Sequence, residues 1–368
     1  MPCRTTVSIS LFFMSLCLCS CNRNVKIPAF ESDRLRVIDI NVWSGLNYQG
    51  TVFIGEYESS ELRQQRHRAL LSQLKELDPD IISIHEANKL PEYARDLARE
   101  LDFDYFEHVG VGGVRAGPIG LPWNLREGDA ILARKSLRMK PLQRFQLSGG
   151  LVGRFFTFHF EDATQILGAQ VEVGGSPVYV FSTHWHSSVL KTPSVLKLLD
   201  NLRQERRASE QEVKEALNAI DAGVEWRLKE SRATLDFIRR TSECHSSILM
   251  GDFNATAETE EIVNLTSNGL LDVFGSVGKG DPNTWDPERN ENQKKFYTAP
   301  QDKSFQKELE FRFDKMPIRI DFIFYDACKD NSLKPLSSKV VLNEIRDGLH
   351  PSDHFGIMAD FQIVRKRQ

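Results

Sequence analysis

The alternation of apolar and polar positions predicts an α/β chain. Leu35 to Val42 alternates as a half-buried strand does and ends at Asn41. Glu61 to Leu77 carries Leu62, Leu70, Leu71, Leu74 and Leu77 at helical spacing among charges, and Asp78, Pro79 and Asp80 stop it. Ile81 to Glu86 is a short apolar run that ends in a carboxylate. Strand, helix, strand, with a polar residue at each strand end, is the layout of an α/β site. A second amphipathic helix spans Pro91 to Leu101, and Gly110 to Gly120 reads as a flexible rim loop without a phosphate-cradling glycine spacing. Asp129 to Ala133, Arg154 to Phe160, Gln165 to Val173 and Pro177 to Ser182 follow closely, as antiparallel hairpins in a mixed sheet do.

From Leu196 to Arg240 the pattern is a long amphipathic helix or a helical hairpin, with Gly223 as a candidate break and a solvated outer face. Ile248, Leu249, Met250, Gly251, Asp252, Phe253, Asn254 is a buried-strand pattern that ends in an acid and an amide. Gly251 is expected to free the backbone to present both. Thr259 to Leu265 reads as a short helix and Gly280 to Tyr297 as a polar rim loop around Trp285. Arg319 to Tyr325 is a strand with Asp321 among apolar residues, and a carboxylate buried there requires a partner. Asp353 and His354 precede the final strand, Phe355 to Val364.

The 368 residues, 40% hydrophobic and 27% charged, suit a single globular domain, and a net charge of −4 gives no global basic field for nucleic acid. Residues 1–21 stand apart. Arg4 precedes the apolar run Val7 to Leu18, which is too short to span a bilayer and reads as a signal peptide. Leu18, Cys19, Ser20, Cys21 resembles the bacterial lipoprotein box, which would make Cys21 the lipidated residue, 22–34 a tether and 35–368 the domain. An ordinary cleaved secretory signal is the alternative. The protein is therefore expected to be exported, to sit at the cell envelope on a lipid anchor and to be a monomer. Cys244 and Cys328 remain as a disulfide pair or as two buried thiols.

Collected, the polar strand ends are Asn41, Glu86, His184, Asp252 with Asn254, Asp321, and Asp353 with His354. Carboxylates and carboxamides without a thiolate suit a hard cation, Mg²⁺ with Mn²⁺ or Ca²⁺ as alternatives. Histidines beside such a cation are equipment for hydrolysing a phosphoester. The order N-V-W at Asn41, the acid at Glu86, G-D-A-I-L-A-R at Gly128, S-T-H at His184, G-D-F-N at Asp252, R-I-D-F-I-F at Asp321 and S-D-H at Asp353 resembles the endonuclease/exonuclease/phosphatase superfamily.

That resemblance implies a four-layer α/β sandwich, two mixed β-sheets face to face with helices outside, and a helical insertion at about 190–230. It implies Glu86, Asp353 and Asn41 around the metal, and Asp252 and Asn254 holding the attacking water, the phosphate or a second ion. His354 is the base or phosphate-binding imidazole, oriented by Asp321. His184 serves the phosphoryl oxygens or the leaving group. The substrate expected is a phosphodiester, in nucleic acid or a phospholipid headgroup. A phosphomonoesterase on sugar or inositol phosphates is the alternative, and would use rim cations such as Arg115 and Arg126. A surface-anchored protein that binds without catalysis is the reading from another class.

Overall fold

The computed structural model of the chain describes residues 29–46, 58–111, 114–116, 119–120, 126–152, 156–158, 163–296, 304–327 and 332–364. The leader with Cys21, most of the tether, Trp123, His159, Cys328 and the Arg115 side chain lie outside them.

Two six-stranded sheets form the centre. In the first the order is Leu333–Val341, Gly356–Ile363, Arg34–Asn41, Ile81–Asn88, Glu127–Arg134, Phe103–Val111. In the second it is Leu271–Asp272, Asp321–Asp326, Ser247–Asp252, Ser176–His184, Gln165–Val173, Lys140–Gln146. Each sheet is mixed: Arg34–Asn41 runs parallel to Ile81–Asn88, Ser176–His184 runs parallel to Ser247–Asp252, and their other partners are antiparallel. Val37, Ile81 and Ile131 from the first sheet meet Leu167, Val180, Met250 and Ile323 from the second in one buried cluster, so the sheets pack face to face.

Helices close both outer faces. Ser60–Leu77 and Glu92–Leu101 lay Leu70, Leu74, Ala94 and Leu97 on the first sheet. Leu235, Phe237 and Ile238, with Ile262 and Leu265 of Glu260–Ser267, cover the second. The predicted four-layer sandwich is the observed one. Among the described residues no helix is long and apolar enough to cross a membrane.

Three expectations change. Gly223 does not break a helix. Glu210–Ser242 is continuous for 33 residues, and a Cβ at Gly223 would stand 2.2 Å from Ser188 Oγ, so the glycine permits close packing. The described parts of Gly110 to Gly120 include strands, Val114–Ala116 and Ile119–Gly120, in a small sheet with Phe156–Phe158 and Leu151–Val152. Gly251 lies inside its strand, where a Cβ would stand 2.2 Å from the Thr183 carbonyl oxygen. The residue that turns is Asn254, at φ 45°, a left-handed conformation that asparagine tolerates.

Candidate active site

Strand register builds the site. In the second sheet His184 pairs with Asp252 and Asp252 with Asp321, so three functional side chains stand in one row across neighbouring strands. In the first sheet Asn41 pairs with His85, and Glu86 follows at a bulge, where it takes φ 54°. The two rows face each other at one end of the sandwich.

Hydrogen bonds tie the rows together. Asn41 Nδ2 donates to Glu86 Oε1 at 2.8 Å and to Asp252 Oδ2 at 3.0 Å, while its Oδ1 accepts the Trp43 N–H. Asn41 therefore orients the two acids. The Ser44 N–H reaches the other Glu86 oxygen at 3.2 Å. Asp252 Oδ1 accepts the Asn254 N–H at 3.0 Å, and Asn254 Nδ2 donates to the Trp185 carbonyl and lies 3.1 Å from His184 Nε2. Asp252 Oδ2 is 3.6 Å from His184 Nε2 and 3.8 Å from His354 Nε2, so this carboxylate stands between two imidazoles.

Asp321 has the partner that its burial demands: Oδ2 lies 3.0 Å from His354 Nδ1. Burial opposes charge on the His354 ring, but Asp321 in contact, with Asp252 and Asp353 nearby, outweighs it and holds the imidazole well above its usual range. Trp285 packs edge-on against this ring, 5.1 Å between centroids.

Two compact donor groups result, Glu86 with His184 and Asp252, and Asp252 with Asp321 and His354. In each, the ligand atoms lie within 4.8 Å of one another. Such spacing and carboxylate-rich chemistry fit a divalent cation. Asp321 Oδ1, buried without a hydrogen-bond partner, leaves further acceptor capacity. Asp353 belongs to neither group. It is buried next to His354 and accepts the Ser352 hydroxyl at 3.1 Å.

Two supports escaped the sequence reading. The segment read as a rim loop is a scaffold: Thr284 Oγ1 accepts the N–H groups of Ile320 and Asp321. Asn290, Asn292 and Gln293 donate side-chain amides to the carbonyls of His350, Ser352 and Asp353. Three amides with so little apolar pattern around them were the available signal. The long helix supplies the second support. Glu230 accepts the His186 N–H at 3.0 Å together with the hydroxyls of Ser148 and Thr164, Arg227 donates to Ser188 Oγ at 2.5 Å, and Trp226 stacks on the His186 ring at 4.2 Å. The inserted helix thus grips the loop that follows His184.

A family model described as Endonuclease/Exonuclease/phosphatase family matches residues 40–354. Comparison with curated proteins gave no match. Among solved structures, D. rerio TDP2 complexed with single strand DNA product is 22% identical, with a TM-score of 0.55 over 90% of this chain and 99% of that one. An endonuclease/exonuclease/phosphatase family protein from Bacteroides thetaiotaomicron is 15% identical, with a TM-score of 0.56 over 90% and 98%. A mannosyl-6-phosphatase of the same organism is 15% identical, with a TM-score of 0.54 over 89% and 99%. At these identities the likeness is one of fold.

Proposed function

The chain belongs to the endonuclease/exonuclease/phosphatase family, and on that premise we propose that it is an exported, metal-dependent phosphodiesterase. Members of this family are mostly hydrolases acting on phosphoesters. The observation that carries the reading is the position of Asp252, shared by the two donor groups and flanked by His184 and His354.

Glu86 and Asp252 would hold a divalent cation, Mg²⁺ first among the candidates, with Asn41 orienting both acids and Asp353 close by. When bound, the cation polarises a phosphoryl oxygen. Asp252 is placed to accept a proton from the attacking water, with Asn254 fixing its other oxygen. His354, kept protonated by Asp321 in the cation-free site, offers an N–H and a positive charge to the phosphoryl group. His184, held beside Asn254, serves the leaving oxygen.

A diester is favoured over a monoester by charge. The described hydrogen bonds to Glu86, Asp252 and Asp321 come from amides, backbone and imidazole, and Arg126, one of two candidate rim cations, reaches Glu92 at 3.2 Å. A monoester dianion calls for more positive charge than that. Export is supported by the leader and by Cys244, which is disulfide-bonded, as suits an oxidising compartment.

The test is a panel of plasmid DNA, RNA, sphingomyelin vesicles, bis-p-nitrophenyl phosphate, inositol phosphates and mannose 6-phosphate, each with Mg²⁺ or EDTA. Cation-dependent turnover of diesters is expected. Turnover of monoesters alone would replace the diester reading, and turnover of none would leave a binding protein.

A further inference from the structure

Beneath Glu86, His184 and Asp252 the space between the sheets is not filled with apolar side chains. Asp39, Ser83, His85 and Asp129 of the first sheet and Gln165 and Ser182 of the second are all at most 3% exposed. His85 Nε2 stands 2.8 Å from Asp39 Oδ1, and Nδ1 stands 3.0 Å from Asp129 Oδ1. Gln165 Nε2 donates to Asp129 Oδ2 at 2.7 Å, and its Oε1 accepts Arg144 Nε at 2.8 Å. Ser83 Oγ lies 3.0 Å from His85 Nε2 and 2.9 Å from Ser182 Oγ. A polar row therefore runs from the middle of the first sheet to the edge of the second, and the Gln165–Asp129 and Ser83–Ser182 contacts join the two sheets.

Stability alone does not account for this row. Apolar side chains of similar volume fill such space at lower cost than two carboxylates and an imidazole, and Asp39 Oδ2 remains buried without a partner. The row's position is informative. His85 is one of the two residues in the bulge, which sets His85 and Glu86 against Asp129 alone while Ile84 and Ala87 keep their partners. A bulge re-aims side chains, and this one aims Glu86 at Asn41 and Ser44. The His85 ring also lies 6.1 Å from the His184 ring. The site is split between sheets, with Asn41 and Glu86 on one and His184, Asp252 and Asp321 on the other. Apolar contacts are non-directional, whereas hydrogen bonds between the sheets are directional and add to the packing in fixing their register.

We propose that Asp39, Ser83, His85 and Asp129, with Gln165 and Ser182, are a positioning layer that sets Glu86 against Asp252 and His184 and so sets the affinity of the site for a divalent cation. The inference rests on Glu86 and Asp252 being ligands of that cation. None of the six is itself a ligand; each acts through Glu86 or through the sheet register.

Calorimetric titration of Mn²⁺ into the full-length protein tests this, since cation affinity in a folded protein is not moved by a merely structural role. In His85→Gln and Asp129→Asn the dissociation constant should rise about 10- to 100-fold, the range for groups that orient metal ligands. The double variant should be no weaker than the poorer single variant if the row acts as a unit. Ser182→Ala, which removes the cross-sheet contact with Ser83, and Ser83→Ala, which also removes the contact with His85, should weaken binding several-fold and carry the test if the charged variants do not fold. Wild-type affinity in the folded variants overturns the inference while leaving the cation site intact. A wild-type protein that binds no Mn²⁺ overturns both.

Discussion

His354 shows how one side chain concentrates the chemistry. Its Nδ1 stands 3.0 Å from Asp321 and its Nε2 3.8 Å from Asp252, deep enough that charge on the ring depends on those acids. The folded protein therefore holds this proton to higher pH than the unfolded chain, where the ring titrates near about 6.5. Stability from that proton is fully present below about pH 6.5 and is lost as pH rises through the raised folded value. In metal-free protein, the thermal unfolding temperature should fall as pH rises across that window, and Asp321→Asn should flatten the fall. The same variant should lose about a hundredfold or more in kcat, because the imidazole loses its orienting acid. Equal pH slopes in wild type and variant would contradict the pairing. Asn41, Glu86, His184, Asp252, Asn254, Asp321 and His354 could be read as candidates because each interrupts or ends an apolar run, and the structure brings them together. Asp353, read in the same way, falls outside both donor groups. Asp39, His85 and Asp129 were not legible, since a polar residue in an alternating strand is read as facing water when its partners lie far along the chain.

At the scale of elements, Glu210–Ser242 joins two roles. Ala216 and Ile220 pack with Pro193–Gln204 and Phe305–Phe313 in a small separate cluster, whereas Leu235, Phe237 and Ile238 pack on the outer face of the second sheet. Between these halves the buried stripe Gly223, Arg227, Glu230 meets the loop after His184. Glu230→Ala removes the acceptor of the His186 N–H and of the Ser148 and Thr164 hydroxyls, which are left with each other, and this should cost about 1–3 kcal/mol in urea unfolding. Glu230→Gln, which keeps an acceptor, should cost less. Equal losses in the two would contradict the role of the carboxylate as acceptor for the loop. This stripe was hidden because charged residues on a helix normally mark its solvated face. The strand Lys140–Gln146 was missed for a related reason: it is an edge, largely exposed, and shows little alternation.

For the whole molecule, sandwich architecture followed from the order of motifs, but strand order did not, because pairings such as Arg34–Asn41 with Gly356–Ile363 join distant stretches with no local signature. Chain direction also bears on function. The eight-residue strand that opens the domain runs from Arg34 at one pole to Asn41 at the site, a rise of about 3.3 Å per residue and so about 23 Å in all. The described chain thus enters this strand at the pole opposite the site residue Asn41. On the proposed function, Asp252 serves both halves of a cation-assisted phosphodiesterase site. The most direct test is kcat/KM for bis-p-nitrophenyl phosphate at saturating Mg²⁺ in wild type and in folded Asp252→Asn. A loss of about 10²- to 10⁴-fold, with wild-type turnover abolished by EDTA, is the predicted result. Rates within a few-fold of each other, or wild-type turnover that survives EDTA, would contradict it.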